Sequence, residues 1–214
     1  MKSIKDFQKY KSIIFDCDGV ILQSNKLKTE AFKESLKGEK HYLVKKFIEY
    51  HIKKGGVSRY EKFEHYFSNI KKIKSYEKFL ENALEKYSNL VRKNLITTQY
   101  VPGIINVLKY LNYKKIDCFI VSGGDQKELE YVFKKRNIFK KFKKILGSPK
   151  NKIENIEILI KKNLITFPSI FFGDSLSDMQ AANRFNLDFC FVKQFSEWES
   201  GEKFIKKTFK NILL

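Results

Sequence analysis

The chain has little of what marks an exported or membrane protein. Three cysteines stand among its 214 residues. Cys17, Cys118 and Cys190 cannot all pair, and each lies in or beside an apolar run, so they read as reduced, mostly buried thiols. No apolar run approaches the roughly 18 residues that span a bilayer. Residues 1–10 carry charge where a secretory leader would be apolar. These shortages give the expectation of a cytoplasmic protein with no membrane partner. Arginine is scarce too. Only Arg59, Arg92, Arg136 and Arg184 of the 43 basic residues are arginines, although the formal net charge is +19. Arginine is the better bidentate reader of phosphates and bases, and the lysines are scattered through every segment. The excess charge therefore reads as a lysine bias that would attract anionic metabolites, and no nucleic-acid partner is expected. Repeats and low-complexity blocks are absent.

Apolar and aromatic residues, by contrast, are plentiful. Hydrophobic residues make up 43% of the chain, with 20 Phe and 11 Tyr, enough for a compact core carrying a sizeable insert. Short apolar runs at Ser12–Phe15, Asp117–Val121, Lys144–Leu146, Ile170–Phe172 and Phe189–Val192 are strand-length and apolar throughout, as strands buried on both faces are. Helical periodicity fills the intervals. One helix is expected to start at Val101-Pro102-Gly103 with Pro102 in its first turn, and another at Gln126 with Asp125 as its cap. Alternation of this kind predicts an α/β fold with a Rossmann-like parallel sheet. Residues 24–96 differ: Tyr60, Phe63, Phe67 and Ile70, then Phe79, Ala83, Leu84, Tyr87, Leu90 and Val91, recur at helical spacing with no strand among them. This stretch predicts an inserted helical domain broken once, at Gly55-Gly56. The division is core over 1–23 and 98–214, insert over 24–97.

Polar residues follow the strand runs at one recurring place. Asp16 and Asp18 follow the first, Ser122 the second, residues 148–152 the third, and Asp174 and Asp178 the fourth. In a parallel sheet those ends share one edge, where ligands bind. Asp16, Asp18 and Asp174 would supply hard oxygen ligands that repel one another unless a cation intervenes, and Mg²⁺ suits such a set. Ser122 with the amides of Gly123 and Gly124 would suit a phosphate, and Lys152 or Lys150 would add positive charge. That combination fits phosphoryl transfer.

These residues carry a family resemblance. Asp16-Cys17-Asp18-Gly19-Val20, then Ser122, then Gly147-Ser148-Pro149-Lys150-Asn151-Lys152, then Gly173-Asp174-Ser175-Leu176-Ser177-Asp178 resemble, in order, the four motifs of haloacid dehalogenase (HAD) superfamily phosphatases. The capped subfamily of phosphoglycolate phosphatases and β-phosphoglucomutases is the nearest in pattern. The resemblance implies Asp16 as nucleophile and Asp18 as general acid and base. It implies Ser122, Gly123 and Lys152 as phosphate contacts, Lys152 being favoured over Lys150 by family spacing. Mg²⁺ would be held by Asp16, the backbone carbonyl of Asp18 and Asp174, with Asp178 orienting the ligands from behind. The insert becomes a cap over the site, with Ser58 and Arg59 as expected substrate contacts. Gly-Gly-x-Ser-Arg-Tyr is similar to HAD phosphatases found with bacterial surface-sugar pathways, which suggests a phosphorylated precursor of capsule or lipopolysaccharide as substrate. A sugar phosphomutase and a nucleic-acid-binding protein on the same scaffold are the rival readings. His41, His51 and His65 lack metal-ligand spacing and read as structural, Cys17 as a packed thiol, and Trp198 as tail packing near the mouth of the site.

Overall fold

The computed structural model describes residues 8–204 and 208–209. Six parallel strands run β1 (Ser12–Phe15), β2 (Asp117–Asp125), β3 (Lys144–Ser148), β4 (Ser169–Gly173), β5 (Asp188–Val192) and β6 (Thr208–Phe209). Their order in the sheet is β3-β2-β1-β4-β5-β6, so the chain winds one way from β1 and the other way from β4. The crevice beyond the carboxyl ends of β1 and β4 is the topological switch point of this doubly wound α/β sheet.

The strand centres are apolar because both faces are covered. In β1, Ile13 and Phe15 join one buried cluster and Ile14 the other. Cys118 and Ile120 of β2, and Ile170 and Phe172 of β4, lie with the first cluster, whereas Phe119, Val121 and Phe171 lie with the second. That alternation is the period of two expected of a strand. The second cluster is closed by α7 (Lys152–Lys161) and α8 (Leu176–Arg184) through Ile156, Leu159, Ala181 and Ala182. The first is closed by α5 (Ile104–Tyr113) and α6 (Gln126–Lys135).

Between β1 and β2 lie α1 (Asn25–Ser35), α2 (His41–Lys53), α3 (Arg59–His65), a π-helical turn over Tyr66–Ile70, and α4 (Glu77–Thr97). Phe32, Phe47, Phe63, Tyr66, Tyr87 and Val91 pack these helices together, and they belong to the same apolar cluster as Ile13 and Phe15. The insert thus shares a continuous interior with the sheet.

Several local expectations need correction. The helix after Pro102 begins at Ile104, because Gly103 adopts a left-handed φ of 83° as its N-cap and leaves Pro102 outside. Strand β2 runs on through Ser122-Gly123-Gly124 to Asp125, with an irregularity in its pairing to β3 between Val121 and Asp125. The insert breaks near Gly38 and after Ile70 as well as at Gly55-Gly56. Tyr60, Phe79 and Leu90, expected on buried stripes, are exposed; α4 instead buries Ala83, Tyr87, Val91 and Leu95. Asp125 does cap α6, accepting from the Glu128 amide at 2.9 Å. No helix of the described residues is long and apolar enough to cross a membrane.

Candidate active site

Asp16 is the first residue past β1. Its amide donates to the Phe172 carbonyl of β4 at 2.9 Å, which anchors the side chain at the switch point. The carboxylate is 1% exposed. One oxygen accepts from the Cys17 amide at 2.7 Å, and the other lies 3.1 Å from Lys152 Nζ. Lys152 is the first residue of α7. The helix is held by a capping box in which Asn151 and Glu154 satisfy each other's amides. Its ammonium also donates to Asp178 at 2.5 Å. Asp178 in turn accepts from the amide and hydroxyl of Ser175, so it fixes both Lys152 and the turn that carries Asp174. Lys150 is exposed and forms no such pair.

Oxygens of Asp16, Asp174 and Asp178 all lie within 4.8 Å of one another. Burial pushes the Asp16 carboxyl up to about 7, with Lys152 opposing the shift and the Asp178 and Asp18 charges adding to it. Burial and the charges of Asp16 and Asp178 hold Asp174 well above the usual carboxylate range. Carboxylates so arranged are costly when ionised together, and a bound dication would relieve that cost. The donor set is all oxygen, as Mg²⁺ requires. Asp178 is engaged by Lys152 and by both the amide and the hydroxyl of Ser175, so Asp16 and Asp174 are the carboxylates with an oxygen that could turn to a dication.

Asp18 points elsewhere. Its carboxylate is clamped between Ser24 Oγ at 2.5 Å and Lys28 Nζ at 2.6 Å. Burial alone would raise its pKa, but Lys28 and Ser24 outweigh that and hold it below the ordinary value. The turn between the two aspartates and α1 depends on Gly19. Its φ is 70°, and a Cβ there would lie 2.7 Å from Asn25 Nδ2 and 2.9 Å from Asp174 Cγ. Asn25 uses that proximity to donate to Asp174 at 2.5 Å and to the Phe195 carbonyl at 2.7 Å.

Ser122 is fully buried, and its hydroxyl oxygen accepts from the Gly124 amide at 3.1 Å. Gly123 and Gly124 line a cavity, open at its mouth, together with Asp16, Asp18 and Asp174. Residues of the insert close the other side: Lys28, His51, Arg59, Lys62 and Tyr87. The Gly55-Gly56 loop forms part of the wall. Gly56 has a φ of 75°, and a Cβ on it would lie 2.6 Å from Ser175 Oγ and 2.7 Å from Lys152 Nζ. Besides breaking the helical pattern, this pair makes a close approach of insert to core.

The two expected contacts of the insert are placed differently from each other. Arg59 lines the cavity, but its guanidinium pairs with Glu128, donates to Ser88 Oγ at 3.1 Å and stacks over Tyr87 at 4.6 Å. Its charge is met inside the protein. Ser58 turns to the start of α3, where it accepts from the Glu61 amide at 3.3 Å, and it borders a separate cleft beside Lys150 and Asn151. Sequence reasoning gave no site role to Ser24, Asn25, Lys28, Lys62 or Glu197, and read His51 as structural. The ten-residue step from Asp18 to Lys28, across the strand-to-insert boundary, has no periodic signature. Trp198 packs on Phe191 at 5.5 Å and stacks on Phe204, and it also lines the cavity. Cys17 is buried in the core with its thiol pushed well above its ordinary pKa by burial.

Comparison with known proteins adds three findings. The model of a family described as haloacid dehalogenase-like hydrolase matches residues 13–192. No curated protein matches the sequence. Among solved structures, the fold is similar to a predicted phosphoglycolate phosphatase from Haemophilus somnus at a TM-score of 0.75 and 16% identity, over 95% of each chain. It is similar to β-phosphoglucomutase from Clostridium difficile at 0.74 and 21%, over 95% of this chain and 92% of that one. A hydrolase from Pseudomonas syringae gives 0.74 and 18%, over 95% and 94%. At such identities the likeness speaks to fold alone.

Proposed function

From the premise that the chain belongs to the haloacid dehalogenase-like hydrolase family, we propose that it is a Mg²⁺-dependent phosphatase of a small phosphate monoester, with Asp16 as nucleophile. The observation that carries this reading is the buried Asp16 carboxylate at the switch point, 3.1 Å from Lys152 and opening on the same cavity as Asp18. An Asp16 oxygen attacks phosphorus, the ester oxygen departs with a proton from Asp18, and an aspartyl-phosphate remains. Water that has given its proton to Asp18 then attacks phosphorus and frees Asp16 and inorganic phosphate. Asp16, Asp174 and the Asp18 backbone carbonyl would hold Mg²⁺, which supplies charge neutralisation between a carboxylate nucleophile and a phosphate dianion. Lys152 adds a fixed cation to the same end, and Gly123 with Ser122 supplies donors for phosphate oxygens.

Lys28 bears on the timing. It keeps Asp18 ionised in the free protein, the form that activates water. The acid step needs a protonated Asp18, so Lys28 must loosen its hold, and an anionic substrate competes for it. A sugar or nucleotide-sugar phosphate of surface-polysaccharide synthesis is the substrate class suggested by Gly55-Gly56-Val57-Ser58-Arg59-Tyr60. Phosphate release with Mg²⁺ over a panel of sugar, nucleotide-sugar and polyol phosphates tests the reading, with Asp16→Asn as control. Release by the wild type that Asp16→Asn abolishes supports it; equal release by both overturns the mechanism. Turnover that requires a sugar bisphosphate and liberates no phosphate assigns the phosphomutase reading instead.

A further inference from the structure

The turns at the amino edge of the sheet, opposite the cavity, share one construction. Each of α5, α6, α7 and α8 ends in the same motif: the amides of Ile116, Ile138, Leu164 and Leu187 reach back to the carbonyls of Leu111, Phe133, Leu159 and Ala182 at 2.9–3.0 Å. The residue before each of these amides is left-handed, as such a helix end requires. Three are asparagines, Asn137, Asn163 and Asn186, with φ of 56°, 52° and 52°. The fourth is Lys115, at 57°. Asparagine tolerates that conformation better than lysine does, so backbone geometry does not explain Lys115.

Lys115 is one of a row. In a parallel sheet the segments that lead into the strands share one edge. Exposed Lys11 leads into β1, Lys114 and Lys115 into β2, Lys140 into β3, whose first residue is the exposed Lys144, and Lys162 into β4. With neighbouring strands about 4.8 Å apart, these lysines span about 15 Å of edge. Among the described residues none of the six forms an ion pair. The acids at the strand starts, Asp117 and Asp188, are already met by Lys143 at 2.6 Å and Lys9 at 3.8 Å. Attraction to helix carbonyl ends accounts for Lys134, Lys135 and Lys161, which lie in last turns. It does not account for Lys11 or Lys144, which stand beside strands. Two large rings stand out among the lysines: Tyr113, 79% exposed at the end of α5, and Phe167, 51% exposed ahead of β4.

We propose that this amino edge is a docking face for an anionic bilayer. Lysine ammoniums meet lipid phosphates as point charges, and exposed aromatic rings settle at headgroup depth. Nucleic acid would favour arginine. Of the two arginines near this edge, Arg136 is turned inward, donating to the Leu95 and Ile96 carbonyls at 2.9 and 2.7 Å, and Arg184 stands at the end of α8. The expectation of no membrane partner came from the lack of a spanning run, which bears on crossing a bilayer and not on resting against one. The cavity opens at the opposite edge, so the docked protein presents it to the solution and takes dissolved substrates. The docking face stands independently of the phosphatase reading.

The test is co-sedimentation of the full chain, at physiological salt, with vesicles of equal parts phosphatidylglycerol and phosphatidylcholine, against phosphatidylcholine alone. The edge variant carries Lys114→Gln, Lys140→Gln, Lys144→Gln and Lys162→Gln. The control carries Lys45→Gln, Lys46→Gln, Lys78→Gln and Lys86→Gln, on the insert, and so has the same net charge. All eight lysines are exposed, and melting close to the parent verifies that both variants fold. A lysine held near an anionic surface corresponds to about fivefold in affinity. The expected result is binding to the anionic vesicles at least about tenfold tighter than to the neutral ones, and a loss at least about tenfold greater in the edge variant than in the control. Tyr113→Ala with Phe167→Ala is expected to weaken binding several-fold by removing the two rings. No binding to anionic vesicles, equal loss in the two lysine variants, or no loss with both rings removed overturns the docking face. Binding to a DNA duplex in place of vesicles, lost in the edge variant alone, overturns the bilayer and assigns the edge to nucleic acid.

Discussion

The two ends of the cavity are built on opposite electrostatic terms. At the sheet end, Asp16, Asp174 and Asp178 crowd together with one lysine among them, so the protein is short of positive charge and a dication fits. At the insert end, Lys28 pairs with Asp18 and Arg59 with Glu128, while Lys62 forms no ion pair among the described residues and donates to His51. The first end is short of cations and the second is short of one anion. An ordinary core would leave neither imbalance, since unmatched buried charge is destabilising. What the difference teaches is that the sheet end fits a dication, whereas the wall formed by the insert is lined by cations.

The comparison can be broken most severely at Asp16. Asp16→Asn replaces the proposed nucleophile and is expected to lower phosphate release by about 10⁴-fold or more while leaving the fold intact, as kinetics and thermal melting would show. Asp18→Asn should lower kcat by roughly 10²–10⁴-fold, because the clamp of Ser24 and Lys28 then holds a group that cannot transfer the proton. Arg59→Ala probes the insert end differently. It strands Glu128, which is nearly as buried as its partner, so a stability loss of about 3–5 kcal/mol is expected. In a chain of this size that is a fall in Tm on the order of 10 °C. Gly56→Ala tests the seam between the two ends. The left-handed backbone strain, about 1–2 kcal/mol, is the smaller part; displacement of Lys152 and Ser175 should lower kcat about tenfold.

The smallest effect is a pH slope. Lys62 falls from an ordinary 10.5 to about 7 in the folded chain. Between those values the unfolded chain holds a proton that the folded chain has released. Stability contributed by this group therefore rises with pH across the window. Lys62→Met should flatten that rise by a few degrees of Tm between about pH 7 and pH 9, read as the difference between two melting curves. An identical slope in both proteins would show that Lys62 is not held at the low value.

The sheet end was the legible end. Asp16, Ser122, Lys152 and Asp174 each sit within a few residues of a strand's close, and a parallel sheet has only one edge on which such residues can meet. The α/β fold followed from the same alternation. The insert end was not legible, because its contacts join helices at no fixed spacing. Lys28 reaches Asp18, Lys62 reaches His51, and Glu197 reaches Thr29 from beyond β5. Arg59 was conspicuous as a rare arginine, but the sequence does not reveal that Glu128, on a helix of the core, meets its charge. Gly55-Gly56 was read as the insert's single break, whereas its backbone conformation also answers to Lys152 and Ser175 across the cavity.

Trp198 gives the cavity a native optical signal. It is the chain's single tryptophan, and it lines the cavity while resting on Phe191 and Phe204. Its indole emission has one origin, free of overlap from distant tryptophans. Ligands entering beside Glu197, or a shift of the insert that repacks this corner, would alter its quantum yield or wavelength. Rapid mixing with unlabelled protein could then separate arrival of the ester from phosphate departure, each resolved in time as a change in the light from one residue.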